Sequence, residues 1–200
     1  MWLRSIVSAS LSDSPMRYNK LTTALIAAAI GITGGFEGYN RIAYQDSGGV
    51  WTACWGETLN IKPGDEFTDE QCQVMFIQSL NKHNAPLEQI PQRLPAHVHL
   101  ASLDMSYNLG TGAFSHSTMY RYLQNADYPN ACMEPNRWVY VRINGELRNC
   151  RDPQWNCRGI VTRREVVTQL CLGQISINDA LIRLGQLPLD SEIIEQLNAH

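Results

Sequence analysis

The chain has 200 residues, of which 44% are apolar and 18% charged. That length holds one well-packed domain with a small accessory element, and the apolar content excludes wholesale disorder and a fibrous repeat. With 16 Lys plus Arg against 19 Asp plus Glu, the net charge is -3. A general nucleic-acid binder would be basic, so no nucleic-acid partner is expected. A polyanionic substrate would have to be held by shape and hydrogen bonds in a groove, because the global field does not draw it in.

Residues 1–20 are read as an N-terminal extension. Its first fifteen, MWLRSIVSASLSDSP, resemble neither a signal n-region nor a folded element, whereas Met16-Arg-Tyr-Asn-Lys would make an ordinary start. Residues 21–36, LTTALIAAAIGITGGF, carry no charge, follow Arg17 and Lys20 and run directly into Glu37. At about 1.5 Å per residue such a helix falls short of a hydrocarbon core of about 30 Å. Its three Gly and three Thr make it only weakly hydrophobic. Three readings stay open: a signal peptide cleaved after Ala27-Ala28-Ala29, a marginal anchor that can leave the bilayer, or a core helix. Cleavage there would remove the helix that otherwise positions Glu37.

Further along, Ile42 to Thr58 alternates β-branched and aromatic residues around Asp46-Ser47-Gly48-Gly49, which predicts a hairpin. Pro63-Gly64-Asp65 is a turn. Thr68-Asp-Glu-Gln71 has capping-box spacing and predicts a helix from Asp69 towards Asn84. Ala96 onward reads as the central core helix, ending before Gly110. Short helices are predicted from Ser117-Thr118 to Leu123 and from Tyr128 to Met133. A second hairpin is signalled by Trp138-Val-Tyr-Val141 and Asn144-Gly145, and Thr162-Arg-Arg-Glu165 predicts a capped helix to Leu172. Residues 173–200 read as two short amphipathic helices opening near Ser176 and Ser191, an appendage that covers the body. The fold class expected is α+β, mainly helical with a small antiparallel sheet.

Six cysteines, at 54, 72, 132, 150, 157 and 171, lack the C-x-x-C pairs of a zinc ribbon and read as disulfides rather than buried thiols. Disulfides place the folded chain in an oxidising compartment such as the periplasm. His83, His97, His99 and His116 offer only one i, i+2 pair, so no metal is expected. No cofactor is expected either: Gly110 and Gly112 are followed by no Lys and preceded by no strand, unlike a phosphate loop.

The chemistry concentrates in Gly35 to Gly56. Glu37 stands at a helix end, Asp46 in the adjacent turn and Thr52 on the returning strand. Glycoside hydrolysis needs two carboxylates flanking the scissile bond, one protonated as general acid and one ionised, and this stretch supplies the pair. The joint pattern E-x8-D-x5-T within EG...AY.D..GV.T..G closely resembles the phage-type, T4-like lysozymes. Over residues 34 to 172 the resemblance extends to Ser106-Tyr-Asn108-Leu-Gly110-Thr-Gly112-Ala-Phe114, Arg137-Trp-Val139 and Gly159-Ile-Val-Thr-Arg163-Arg164-Glu165.

The resemblance implies a lysozyme-like fold with two lobes around a cleft and a catalytic domain at 37–172. It makes Glu37 the general acid, with Asp46 and Thr52 holding or activating the attacking water. Partial burial beside Phe36 is expected to raise the Glu37 pKa. Asn108, Gly110 and Phe114 are candidate substrate-binding residues. The family often has His where this chain has Glu57; a third carboxylate could raise the Glu37 pKa or face the far side of the strand, and the second is expected. Related lysozymes often carry Cys at 54 and 72, which implies that bridge. Cys150 and Cys157 then close a short loop, leaving Cys132 with Cys171.

An uncleaved Gly/Ala-rich segment running into the acid also resembles signal-arrest-release endolysins. This implies an enzyme tethered inactive in the host inner membrane by residues 21–36, then released into the periplasm as an active monomer on peptidoglycan glycan strands. The reaction implied is hydrolysis of the β-1,4 bond between N-acetylmuramic acid and N-acetylglucosamine. The competing readings are a lytic transglycosylase, which would leave an anhydro sugar, and a catalytically silent wall-binding or membrane-disrupting protein.

Overall fold

The uncharged stretch forms a helix shorter than itself. In the computed structural model, which describes residues 18–36, 39–46 and 48–200, α1 runs Thr23–Ile32, capped by Thr22, whose Oγ1 accepts from Leu25 N at 3.2 Å. Thr33-Gly34-Gly35 are poor helix formers, and Gly34–Phe36 tighten into a 3-10 turn. Ala24, Leu25, Ala28, Ala29 and Ile32 are fully buried and every other position from 26 to 31 is half-buried. A helix that is apolar all round belongs inside a protein or a bilayer.

Asn19, just upstream, is also fully buried. The extension expected over residues 1–20 therefore stops short of Asn19, which belongs to the packed body; residues 1–17 lie outside those described.

Strands β1 (Asn40–Gln45) and β2 (Trp51–Cys54) form the expected antiparallel hairpin. α2 (Asp69–Asn84) begins with the predicted capping box: Gln71 N donates to Thr68 Oγ1 and Thr68 N to Gln71 Oε1. α3 (Ala96–Leu109) is the central helix, buried from Val98 to Ser106. Gly110, at φ +80°, ends it and restarts the chain as α4 (Thr111–Ser115), a helix that the sequence pattern did not signal. α5 (Thr118–Gln124) and α6 (Tyr128–Met133) follow, capped by Ser117 and Asp127.

β3 (Tyr140–Ile143) and β4 (Glu146–Asn149) are joined by Asn144 and Gly145, both at positive φ, as the Asn-Gly signal requires. α7 (Arg158–Cys171) starts earlier than expected. Thr162 lies inside it, its hydroxyl turned back to Arg158 O, so Thr162-x-x-Glu165 is not a capping box here. Cys157, tied to Cys150, takes the cap position instead. α8 (Ile177–Arg183) and α9 (Ser191–Asn198) open at Ser176 and Asp190.

The main core gathers α1, α2, α3, α5, α6 and α7 with Ala180, Leu181 and Leu197 of the C-terminal pair. Ala53, Cys54, Ile61 and Cys72 form a second, small core under the first hairpin, and Val139, Cys150 and Val161 a third under the other. Disulfides join Cys54 to Cys72, Cys132 to Cys171 and Cys150 to Cys157. The class is the α+β, mainly helical one expected. Among the described residues no helix is long and apolar enough to cross a membrane.

Candidate active site

The first hairpin orders two of the three residues that sequence analysis brings together. Its register sets Tyr44 opposite Thr52 and Gln45 opposite Trp51. As cross-strand partners Tyr44 and Thr52 share one face, and Asp46 follows directly after β1 at the start of the turn. Asp46 Oδ1 accepts from Gly48 N at 2.8 Å and Val50 N at 2.9 Å, while Asp46 N donates to Val50 O. Those bonds fix the carboxylate's orientation through one oxygen. Among the described residues no donor meets Oδ2, so that oxygen can address a water.

Thr52, only 3% exposed, donates through Oγ1 to Val50 O at 3.0 Å. Its hydroxyl keeps lone pairs for a water's hydrogen. Glu37, and with it the expected burial beside Phe36, lies outside the described residues, as do Gly38 and Ser47.

A row of rings starts at Tyr39, which stacks on Trp55 at 4.5 Å and donates its hydroxyl to Asp69. Trp55 continues to Phe76, Phe76 to Tyr107, and Tyr107 to His83, with centroids 5.3, 5.6 and 4.7 Å apart. Trp55 is thus packed between rings, and its carbonyl accepts from Tyr107 Oη at 3.2 Å. The same hydroxyl meets Glu57 Oε1 at 3.2 Å. Glu57 faces a cavity of about 680 Å³ lined also by Asn60, Gln78, Lys82 and His83. Burial holds the His83 pKa below the usual histidine value, against the opposing pull of its bond to Ser79 O.

A second cavity, of about 580 Å³, lies on the Asn108 side of α3's end, lined by Trp138, Tyr140, Asn156, Arg163 and Arg164. Tyr107 and Asn108 therefore separate two hollows, each with a mixed polar and apolar lining. Asn108 borders one of them while its amide donates back to Asp104 O at 2.7 Å. Gly110 serves the turn, through its positive φ. Phe114 requires a correction: it is fully buried, edge-on to Tyr120 in the main core, so it packs rather than touching a ligand. His99 is likewise enclosed, bonded to Asn84 Oδ1 at 2.7 Å. Among the described residues no three His, Cys, Asp or Glu side chains converge as a metal site would require.

Sequence reasoning missed Tyr39, Tyr107 and the buried Asp104. Asp104 is bound by Arg163 through two hydrogen bonds, of 2.7 and 3.3 Å, and approached by Arg164 at 3.7 Å. A lone carboxylate in an apolar helix was the signal available.

Comparison with known proteins decides the family. The model of the Phage lysozyme family matches residues 34–166. The chain belongs to the phage lysozyme family. This lysozyme is 33% identical over 160 residues to the SAR-endolysin of Enterobacteria phage P21, covering 74% of the chain and 88% of that protein. It is 32% identical over 178 residues to the SAR-endolysin of Bacteriophage PS34, covering 81% and 98%. Its fold is similar to that of an endolysin from Escherichia coli O157:H7 phage FAHEc1 (TM-score 0.65, 21% identity, 78% of this chain and 95% of that one). It is also similar to the active form of P1 phage endolysin Lyz (TM-score 0.62, 23% identity, 74% and 85%). The lysozyme is accordingly a glycoside hydrolase of the endolysin type.

Proposed function

We propose that this endolysin hydrolyses the β-1,4 bond between N-acetylmuramic acid and N-acetylglucosamine in peptidoglycan and so lyses the host cell. Glu37 protonates the glycosidic oxygen. Asp46 Oδ2 and the Thr52 hydroxyl orient the water that attacks the opposite face of the sugar, and the Asp46 charge stabilises the oxocarbenium character of the transition state. The observation that supports this reading is the hairpin's turn, where two amides hold the Asp46 carboxylate two residues beyond Tyr44, the cross-strand partner of Thr52. Preorganised polar groups of this kind need no rearrangement as charge develops.

The same reading extends to the compartment. Residues 21–36 tether the inactive chain in the host inner membrane, and their release into the periplasm lets α1 take its place in the fold. The full or half burial of every position from Ala24 to Ile32 supports this, because a segment with no charged face is at home in either environment.

The test compares the purified chain with Glu37→Gln on outer-membrane-permeabilised cells, following turbidity and the glycan ends produced. The expected result is clearing by the parent with new reducing ends, and a loss of about a thousandfold or more in the variant, the scale of removing an essential acid. Substantial clearing by Glu37→Gln would refute the assignment, and anhydro ends would make the enzyme a lytic transglycosylase.

A further inference from the structure

The segment that precedes the acid is held at both ends by groups far away in sequence. At its start, Asn19 uses its whole side chain. Nδ2 donates to Leu87 O at 3.1 Å and Gln92 O at 3.0 Å, and Oδ1 accepts from Leu94 N at 2.9 Å. Its own carbonyl accepts from Asn84 Nδ2 at 2.8 Å. These partners are mostly main-chain groups of the α2–α3 connection, so they form a polar keyhole whose shape and pattern suit an amide side chain. Without the Asn19 side chain the buried Leu94 N would lose its acceptor and Gln92 O its donor, while Leu87 O would keep only Ile90 N.

At the other end the fit is steric. A methyl group on Gly31 would overlap Leu181 Cδ2 of α8, and Leu181, 1% exposed, has no solvent to swing into. A methyl on Gly35 would lie 2.8 Å from Gln186 Nε2 and 3.0 Å from its Cγ. Leu181 and Gln186 sit where α8 ends, their positions tied by the bond from Gln186 N to Leu181 O. The family match stops at residue 166, so the C-terminal pair lies beyond it.

We propose that Asn19, Gly31 and Gly35 are positioning residues, through which the body of the enzyme seats α1 in one register: the keyhole takes Asn19, and a notch built by Leu181 and Gln186 of the C-terminal pair takes the two glycines. The helix then stops at a fixed point and delivers the following acid to the hairpin. This gives residues 173–200 a role as half of α1's seat. A slip of one residue would carry the chain about 1.5 Å along the axis and turn it about 100°, enough to unseat both ends at once. The link to activity rests on Glu37 being the acid; the docking itself does not.

The experiment uses the purified, full-length soluble protein, so that membrane release plays no part. Trypsin cleavage after the exposed Lys20 reports whether the segment is seated, near-ultraviolet circular dichroism reports whether the body is folded, and clearing of permeabilised cells reports activity. Asn19→Ala is expected to speed the Lys20 cut and slow clearing, each by about tenfold, as a shift of about a hundredfold in the docking equilibrium would, from roughly one chain in ten undocked to roughly one in ten docked, while the body's spectrum persists. Gly31→Ala should lose activity similarly, and Gly31→Ala with Leu181→Ala should recover most of it. The proposal is overturned if Asn19→Ala leaves the cut and the clearing unchanged, if the body's spectrum is lost in step with activity, or if the double variant is no better than Gly31→Ala. If Glu37→Gln proves active while Asn19→Ala still exposes Lys20, the acid assignment falls and the seat stands.

Discussion

Asp104 shows what one buried charge costs and holds. It has no exposure, and its bidentate partner Arg163 reaches it from α7 across the middle of the molecule. Taking both charges from water is expensive and is offset only because the geometry is good. Removing one side leaves the other charge buried beside a neutral group. Asp104→Asn is therefore expected to lower stability to urea unfolding by about 3–5 kcal/mol, the range for breaking a buried pair. Because Arg163 and Arg164 also line the cavity at Asn108, a folded variant should in addition show weakened substrate saturation. At this scale legibility was uneven. That Asp46 falls in a turn and Thr52 on the returning strand could be read because both positions have local signatures. Phe114 misled, since an aromatic residue near a glycine-rich bend reads equally as platform or core, and only the packing around it distinguishes them.

Among the elements, the first hairpin depends most on a cross-link. Among the described residues its core holds four buried residues, two of which are the bonded Cys54 and Cys72. Cys54 also sits at φ +56°, a conformation that costs a non-glycine residue, directly before the turn at Gly56. Closing the 18-residue separation between the two should be worth about 3 kcal/mol. Replacing both by Ser is expected to lower the denaturant midpoint accordingly. Clearing should fall more than the loss of folded protein explains, because the loosened hairpin carries Asp46 and Thr52. Hairpins, capping boxes and the central helix were legible because each has a local signature, a turn dipeptide or a hydroxyl three residues ahead of its partner. The start of α7 was not, since Thr162 carries the same signature but the chain was already helical from Arg158. α1's stop at Ile32 follows from Gly34 and Gly35, yet the seat that receives it involves residues more than 140 positions later, beyond any local pattern.

The whole molecule converges on His99. Burial and the neighbouring His200 push its pKa down to about 3, and its ring is hydrogen-bonded to Asn84, which also holds Asn19. In the unfolded chain a histidine takes its proton near pH 6.5, so between there and about pH 3 the unfolded state binds more protons and acid favours unfolding. This contribution is fully present above pH 6.5 and is lost as pH falls towards 3, with a slope of at most about 1.4 kcal/mol per pH unit. Urea midpoints of the parent and of His99→Gln across that window should converge as pH drops. A constant gap between them would show that the ring is not the sensitive group.

The enclosure of α1 also has a consequence for how the chain holds together. A ten-residue helix is marginal alone in water, and the surface that receives it is complete only when Leu197 is in place. Among the described residues the first helix in chain order thus completes its packing only with the last, although α2 and α3 supply part of its surroundings earlier. Removal of α9 is therefore expected to leave α1 partly unseated, even though the two lie at opposite ends of the described residues.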